Sequence, residues 1–188
     1  MTDDYGDLGD DGILRFVRML PGPIDRVWAY LTEPEKRAQW FCGGETAREP
    51  GGKVVFDFDH SKLTPHDDPF PEKHKELENG VRFEGTVEAY EPPHRLTLLW
   101  PSSVGGDDSR VTFRLVEVGD QVRLELEQSR IPNAEDLYGA SAGWHGHFAI
   151  LIARLKGETP PPFWSTHEAL DRDYRDRFTA AVERVYGG

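Results

Sequence analysis

Cysteine is nearly missing from this chain of 188 residues: Cys42 stands alone, so no internal disulfide can form and a reducing compartment is the expected setting. Positive charge is scarce as well. Lysine and arginine number 22 against 34 aspartates and glutamates, and the resulting net charge of −12 repels phosphate backbones, which excludes nucleic acid as an expected partner. The longest apolar run, Phe148 to Ala153, is far short of the ~20 residues that span a bilayer. The acidic N-terminus also lacks the basic and then apolar character of a signal peptide. The expectation is a cytoplasmic protein with no membrane insertion. Chemistry-bearing motifs are missing too: there is no Gly-rich phosphate loop, no Gly-x-Ser-x-Gly elbow and no His-Glu-x-x-His pair, and nothing calls for a cofactor.

What the sequence does have is one helix with a greasy stripe. From Gly143 to Leu155, the large apolar residues Trp144, Phe148, Leu151 and Leu155 recur at helical spacing and share one face. The helix follows a series of alternating segments. Ile13 to Leu20 is rich in β-formers and ends at Pro21-Gly22-Pro23. In Lys53 to Asp59, Val54, Phe56 and Phe58 point one way while Val55, Asp57 and Asp59 point the other. Val81 to Tyr90 alternates similarly, with Gly85 at an expected bulge or close approach. Arg95 to Trp100, Arg110 to Glu117 and Val122 to Gln128 complete a meander, the last two joined at Gly119-Asp120 as a hairpin.

Between the first strand and this meander, Ile24, Val27, Trp28 and Leu31 share a helical face, and Thr32-x-x-Glu35 has the form of a capping box opening a second short helix. The predicted architecture is α+β: a curved antiparallel sheet wrapped around a long C-terminal helix, with two short helices after the first strand. Such a sheet gripping a helix encloses space, so a ligand cavity between the two is expected.

Three segments fall outside that plan. Residues 1–11 are rich in aspartate and glycine and read as a disordered acidic tail; as an EF-hand loop they fail, because Gly9 and Arg18 stand where acidic ligands are needed. Residues 60–80 form a charged insertion with three prolines, in which His60, His66 and His74 lack any dense ligand spacing, so no metal site is expected. Residues 158–188 combine the spacer Pro160-Pro161-Pro162 with an amphipathic helix over Ser165 to Tyr186 that opens on a second capping-box pattern, Ser165-Thr166-His167-Glu168. The stripe of that extra helix, Leu170, Tyr174, Phe178, Ala181, Val182 and Val185, must be covered. The stiff spacer predicts that it leaves its origin and pairs with a second copy in a homodimer.

The run Pro23-Ile24-Asp25-Arg26-Val27-Trp28, with Leu31-Thr32-Glu33-Pro34-Glu35 and Trp40-Phe41, resembles the opening of the SRPBCC (START-like, birch-pollen-allergen-like) superfamily. The branch it is most similar to is the homologues of the activator of heat-shock-protein-90 ATPase. Gly52-Lys53-Val54-Val55-Phe56, Gly85-Thr86-Val87-Glu88 before Pro92-Pro93, Arg95-Leu96 with Trp100, and Gly143-Trp144 with Phe148, Leu151 and Leu155 extend the likeness over Ile13 to Lys156. The resemblance implies a helix-grip fold over residues 12–157. It also marks the 60–80 segment and the region beyond Gly157 as departures from the usual pattern.

Three functions are open on this reading. The first is binding of a hydrophobic small molecule or lipid-like ligand in the cavity, lined by Trp28, Trp40, Phe56, Phe58, Phe83, Trp100, Phe113, Trp144, Phe148 and Leu151. The second is a cyclase/aromatase-like or hydrolytic enzyme using the same cavity, for which His147 is the nearest candidate base, with His145, Gln128 and Arg95 behind it. His145 and His147 are two apart and diverge by about 200° around a helix, so they cannot act as one pair. The third, implied by the family resemblance, is a co-chaperone stimulating a heat-shock ATPase.

Overall fold

The structure, a computed structural model, describes residues 4–102 and 104–187. Its order is β1 (Asp7–Leu8), β2 (Leu14–Pro21), α1 (Ile24–Thr32), α2 (Pro34–Arg37), β3 (Lys53–Phe58), β4 (Val81–Glu91), β5 (Arg95–Trp100), β6 (Ser109–Val118), β7 (Gln121–Ser129), α3 (Ala134–Lys156) and α4 (Phe163–Tyr186). Seven strands form one antiparallel sheet in the order β1-β2-β7-β6-β5-β4-β3, so β2 pairs with β7 and the chain between β2 and β3 crosses one end of the sheet. This is the helix-grip fold, with α3 against the inner face.

Alternation decides what each strand buries. Leu14, Phe16 and Leu20 of β2, Val122, Leu124 and Leu126 of β7, and Val111, Phe113 and Leu115 of β6 are all buried. Val55 departs from the expected pattern by being buried, because the loop before β3 folds over it: Val55 N donates to Glu45 O at 2.8 Å, and Gly44 sits so close that a Cβ there would meet the Val55 side chain. Gly85 is the close approach and not the bulge. A side chain there would strike the Leu99 carbonyl and the Phe56 ring, whereas the register of β4 against β5 shifts between Val87 and Ala89.

Neither expected capping box forms. The Thr32 hydroxyl donates back to Trp28 O at 2.9 Å, which continues α1 instead of opening α2. The cap that does form opens α3: Asn133 Oδ1 accepts from Asp136 N at 2.8 Å, and the helix closes on Gly157 in the left-handed region at φ 72°. α3 therefore begins nine residues before the greasy stripe at Gly143, since Ala134 starts it.

The two ends of the chain correct two expectations. Residues 4–11 are not a disordered tail; Met1 to Asp3 lie outside the described residues. β1 pairs with β2, Leu8 is buried, and Gly6 N donates to the Tyr174 hydroxyl at 2.8 Å, with Gly6 lying where any Cβ would collide with the Phe16 ring. Short polar composition concealed this, because the partners are distant in sequence: the Tyr5 hydroxyl donates to Asp173 at 2.6 Å, its ring meets Tyr174 edge-on, and Asp10 pairs with Arg184 at 3.0 Å.

The second correction concerns α4. It runs back along α3: Phe163 near its start meets His147, Tyr174 meets His145, Arg175 pairs with Glu135, and the Tyr186 hydroxyl donates to Ile131 O. Leu170, Tyr174 and Phe178 are buried within the chain. The stripe that argued for a homodimer is thus covered by its own domain, and the three prolines make a tight reversal instead of a stiff exit. Ser165 lies inside α4, whose start is capped from a distance: the Asp68 carboxylate accepts from Trp164 N at 2.6 Å and from Ser165 N at 3.2 Å. Among the described residues no helix is long and apolar enough to cross a membrane.

Candidate functional site

A cavity of about 610 Å3 opens between the outer half of the sheet and the N-terminal half of α3. Small residues make the room. Gly139, Ala140 and Gly143 face it from α3, and a Cβ added at Gly139 or Gly143 would meet no atom within 4 Å. A glycine inside a helix costs about 1 kcal/mol relative to alanine, so two of them on one face represent stability given up for open space.

Trp144 and His147 add aromatic lining from α3, and Glu135 and Asp136 line the cavity from the first turn of that helix. Trp144 is fixed by Gln128, whose Oε1 accepts the indole N–H at 2.7 Å while its Nε2 donates to Ser109 Oγ at 3.0 Å; the Ser109 hydroxyl then donates to Ser129 O. This buried chain orients the ring across the cavity floor. From the sheet, Phe58, Phe83 and Trp100 form an aromatic wall, with Trp100 centroids 5.7 Å from Phe58 and 5.0 Å from Phe83. Phe41 closes the corner between that wall and Trp144 at 4.8 Å.

The 60–80 segment and α4 provide the roof. His60, His74 and Leu77 come from the first, Phe163, Trp164 and His167 from the second, and their rings pack on one another. Besides the Asp68 cap, Lys73 pairs with Asp171 at 3.2 Å, His66 Nε2 bonds Pro160 O at 2.9 Å, and Arg154 donates to Leu63 O at 2.9 Å. The charged insertion is therefore tied to the C-terminal helix.

The imidazoles here are neutral. Burial pulls His60 and His167 down to about 4, each lowered further by a neighbouring histidine, and it lowers His74 as well. His147, buried beside His60, lies well below the ordinary histidine value. Its Nδ1 is 2.7 Å from Trp40 O, a group that can only accept, so Nδ1 carries the proton and Nε2 the lone pair. Among the described residues no group of three or more histidines, cysteines or carboxylates is placed to hold a metal ion. Cys42 is buried outside this cavity, and burial pushes its thiol up to about 12, which makes it unreactive.

Residues 21–156 match the family model of the Activator of Hsp90 ATPase homolog 1-like protein. The chain belongs to that family. A Bordetella parapertussis protein solved by NMR is 39% identical, with a TM-score of 0.80 over 93% of this chain and 91% of the other. CalU16 from Micromonospora echinospora shares the fold at 21% identity and a TM-score of 0.62, covering 92% of this chain and 93% of its own. DynU16, a protein in the dynemicin biosynthetic locus, shares it at 24% identity and a TM-score of 0.61, over 81% of this chain and 49% of that one. No curated protein matches the chain.

In this member of the Activator of Hsp90 ATPase homolog 1-like family, the expected lining residues separate into two groups. Phe58, Phe83, Trp100 and Trp144 line the cavity, as do His147 and Gln128. Trp28, Trp40, Phe56, Phe113, Phe148 and Leu151 do not: they are packed in the closed core, where Trp28 meets Tyr90 edge-on and Phe148 stacks on Trp40 and Trp144. Arg95 lies away from the site beside Glu91, and His145 hydrogen-bonds the Tyr174 hydroxyl. The divergence of His145 and His147 around the helix is what sends them to different neighbours.

Phe41, Ile131 and the roof residues His60, His74, Phe163, Trp164 and His167 were not among the expected lining residues. The aromatic pair Phe163-Trp164 directly after three prolines was the available signal, since a solvated helix start has no use for two large rings. For His60 and His74 no signal existed, because their neighbours in sequence are charged and solvated while their neighbours in space are aromatic.

Proposed function

We propose that this domain binds a hydrophobic small molecule or lipid-like ligand in the cavity between sheet and α3. The observation that carries the reading is the volume of about 610 Å3 held open by Gly139, Ala140 and Gly143 against an aromatic wall. That falls inside the ~300–1,000 Å3 typical of sites that enclose small ligands. A domain serving only as a docking face for a heat-shock ATPase would have no reason to keep glycines there, so the co-chaperone reading that the family description invites ranks below it. One free, buried cysteine suits the reducing cytoplasmic setting we assign.

A cyclase-like or hydrolytic enzyme in the same cavity would rest on His147. Its Nε2 lone pair is available by tautomer, yet burial makes it a poor proton acceptor at neutral pH, where a general base needs a pKa near 7. We therefore assign binding without catalysis.

The test is occlusion. A leucine at position 143 starts from a Cβ that meets nothing and projects into the cavity, so Gly143→Leu should fold normally, with unchanged circular dichroism, and lose binding of a neutral apolar dye that the wild type takes up at about one per chain. Native mass spectrometry of the freshly purified wild type should show a co-purifying compound that Gly143→Leu lacks. Undiminished dye binding by Gly143→Leu would place the ligand elsewhere.

A further inference from the structure

The cavity is not apolar throughout. Under the roof, three buried polar atoms have no hydrogen-bond partner among the described residues: Nδ1 of His60, Nε2 of His74 and Nε1 of Trp164. All three side chains line the same end of the cavity, with His60 and Trp164 centroids 4.9 Å apart and His74 stacked on Trp164 at 5.1 Å. Trp164 is only 4% exposed, so bulk solvent does not serve its indole. Buried polar groups in native proteins are nearly always satisfied, and three orphans at one place call for a partner.

Donor and acceptor chemistry restricts that partner. An indole N–H only donates, so the atom facing Trp164 must accept. Either imidazole can donate or accept according to its tautomer. A hydroxyl oxygen meets both demands at once by accepting from the indole and donating to an imidazole; a carbonyl oxygen does so by accepting from both.

Resting on the binding role assigned above, we propose that the ligand is an apolar molecule with one uncharged oxygen function, a hydroxyl or a carbonyl, seated against Trp164, His60 and His74. The uncharged character follows from the surroundings. The half-buried imidazoles are packed against aromatic rings and neutral, Lys73 is already paired with Asp171, and Arg130 is exposed. A carboxylate drawn into this end would leave water without gaining a cation.

The test compares three probes on one ring system at pH 7.5, each titrated by displacement of a neutral apolar dye: naphthalene, 2-naphthol and 2-naphthoate. On the wild type, 2-naphthol should bind about tenfold tighter than naphthalene, the effect of meeting orphaned buried groups, and 2-naphthoate no tighter than naphthalene. Trp164→Phe, and separately His74→Leu, should cut the advantage of 2-naphthol over naphthalene, both read on the same variant, to within about threefold, with unchanged circular dichroism showing that each variant is folded. Equal binding of naphthol and naphthalene by the wild type, an advantage that survives in both variants, or naphthoate as the tightest probe would overturn the proposal. Naphthalene bound without a naphthol advantage would sink only the oxygen head; failure of the dye and all three probes to bind would sink the binding function together with it.

Discussion

The two halves of α3 are built on the same sheet from the same helix, and they behave in opposite ways. In the C-terminal half, Phe148, Leu151 and Leu155 point at the sheet and are buried, with Phe148 between Phe16, Trp40 and Trp144. In the N-terminal half, the corresponding face presents Gly139, Ala140 and Gly143, and the space that large side chains would fill is left open. Hydrophobic burial stabilises the fold at one end and is forgone at the other. The open end is then closed by different material, the 60–80 segment and the start of α4. A cavity here results from short side chains on the helix and a roof brought from elsewhere in the chain, not from sheet curvature alone.

The sharpest way to break this comparison is to truncate one ring in each half. Phe148→Ala removes a fully buried ring from a packed site and should cost about 3–5 kcal/mol. Phe83→Ala removes a half-buried ring from the cavity wall, where part of the surface is already uncovered, and should cost roughly 1–2 kcal/mol. Urea unfolding of both variants measures the difference. Equal costs would mean that the wall is as tightly packed as the core and that the two halves do not differ. Phe148→Arg should for the same reason unfold the domain instead of simply blocking a ligand, because the arginine would be buried without a partner.

Acidification sharpens the comparison next, since the buried histidines it must charge lie at the roofed end. His60 and His167 have folded-state values of about 4 against 6.5 when unfolded, so between those limits the unfolded chain binds protons that the folded chain refuses. Stability from these groups is fully present above pH 6.5 and is lost as pH falls towards 4. One such histidine accounts for ~3 kcal/mol. The expected outcome is a melting temperature that falls steeply from pH 6.5 to 4 in the wild type and less steeply in His167→Phe. A parallel fall in both would mean that the roof histidines are not the groups responsible.

The closed half was legible in the sequence and the open half only partly so. Core positions on β2, β6, β7 and the C-terminal turns of α3 follow from alternation and helical spacing, because those residues meet their partners along regular elements. The roof obeys no such period. Asp68 caps a helix that begins 95 residues later at Phe163, and His60 meets His147 and Trp164 across three separate segments. Residues in that relation share no pattern in sequence, so the charged insertion reads as solvated and the C-terminal stripe as a surface for another molecule. Phe148 and Leu151 were expected at the site for a related reason: spacing identifies the inward face of a helix but not the position along it at which the packing opens. Gly139 and Gly143 mark that position, and as glycines in a helix they read as weaknesses until the space in front of them is seen.

Those glycines provide the smallest test. Gly139→Ala and Gly143→Ala each add one methyl into open space and raise helix propensity, so each should stabilise the domain by about 0.5–1 kcal/mol. The same methyls occupy part of the cavity, so dye affinity should fall a fewfold in each single variant and further in the double. The two readouts must move in opposite directions. Where α3 meets the roof the comparable glycine is Gly146, at which a Cβ would stand 3.3 Å from the Phe163 ring, and Gly146→Ala should bring no gain because that ring must give way. Stabilisation at 139 and 143 without loss of affinity would show the space to be incidental; loss of stability there would show that the helix face is closed in solution, and the contrast between the two halves of α3 would not stand.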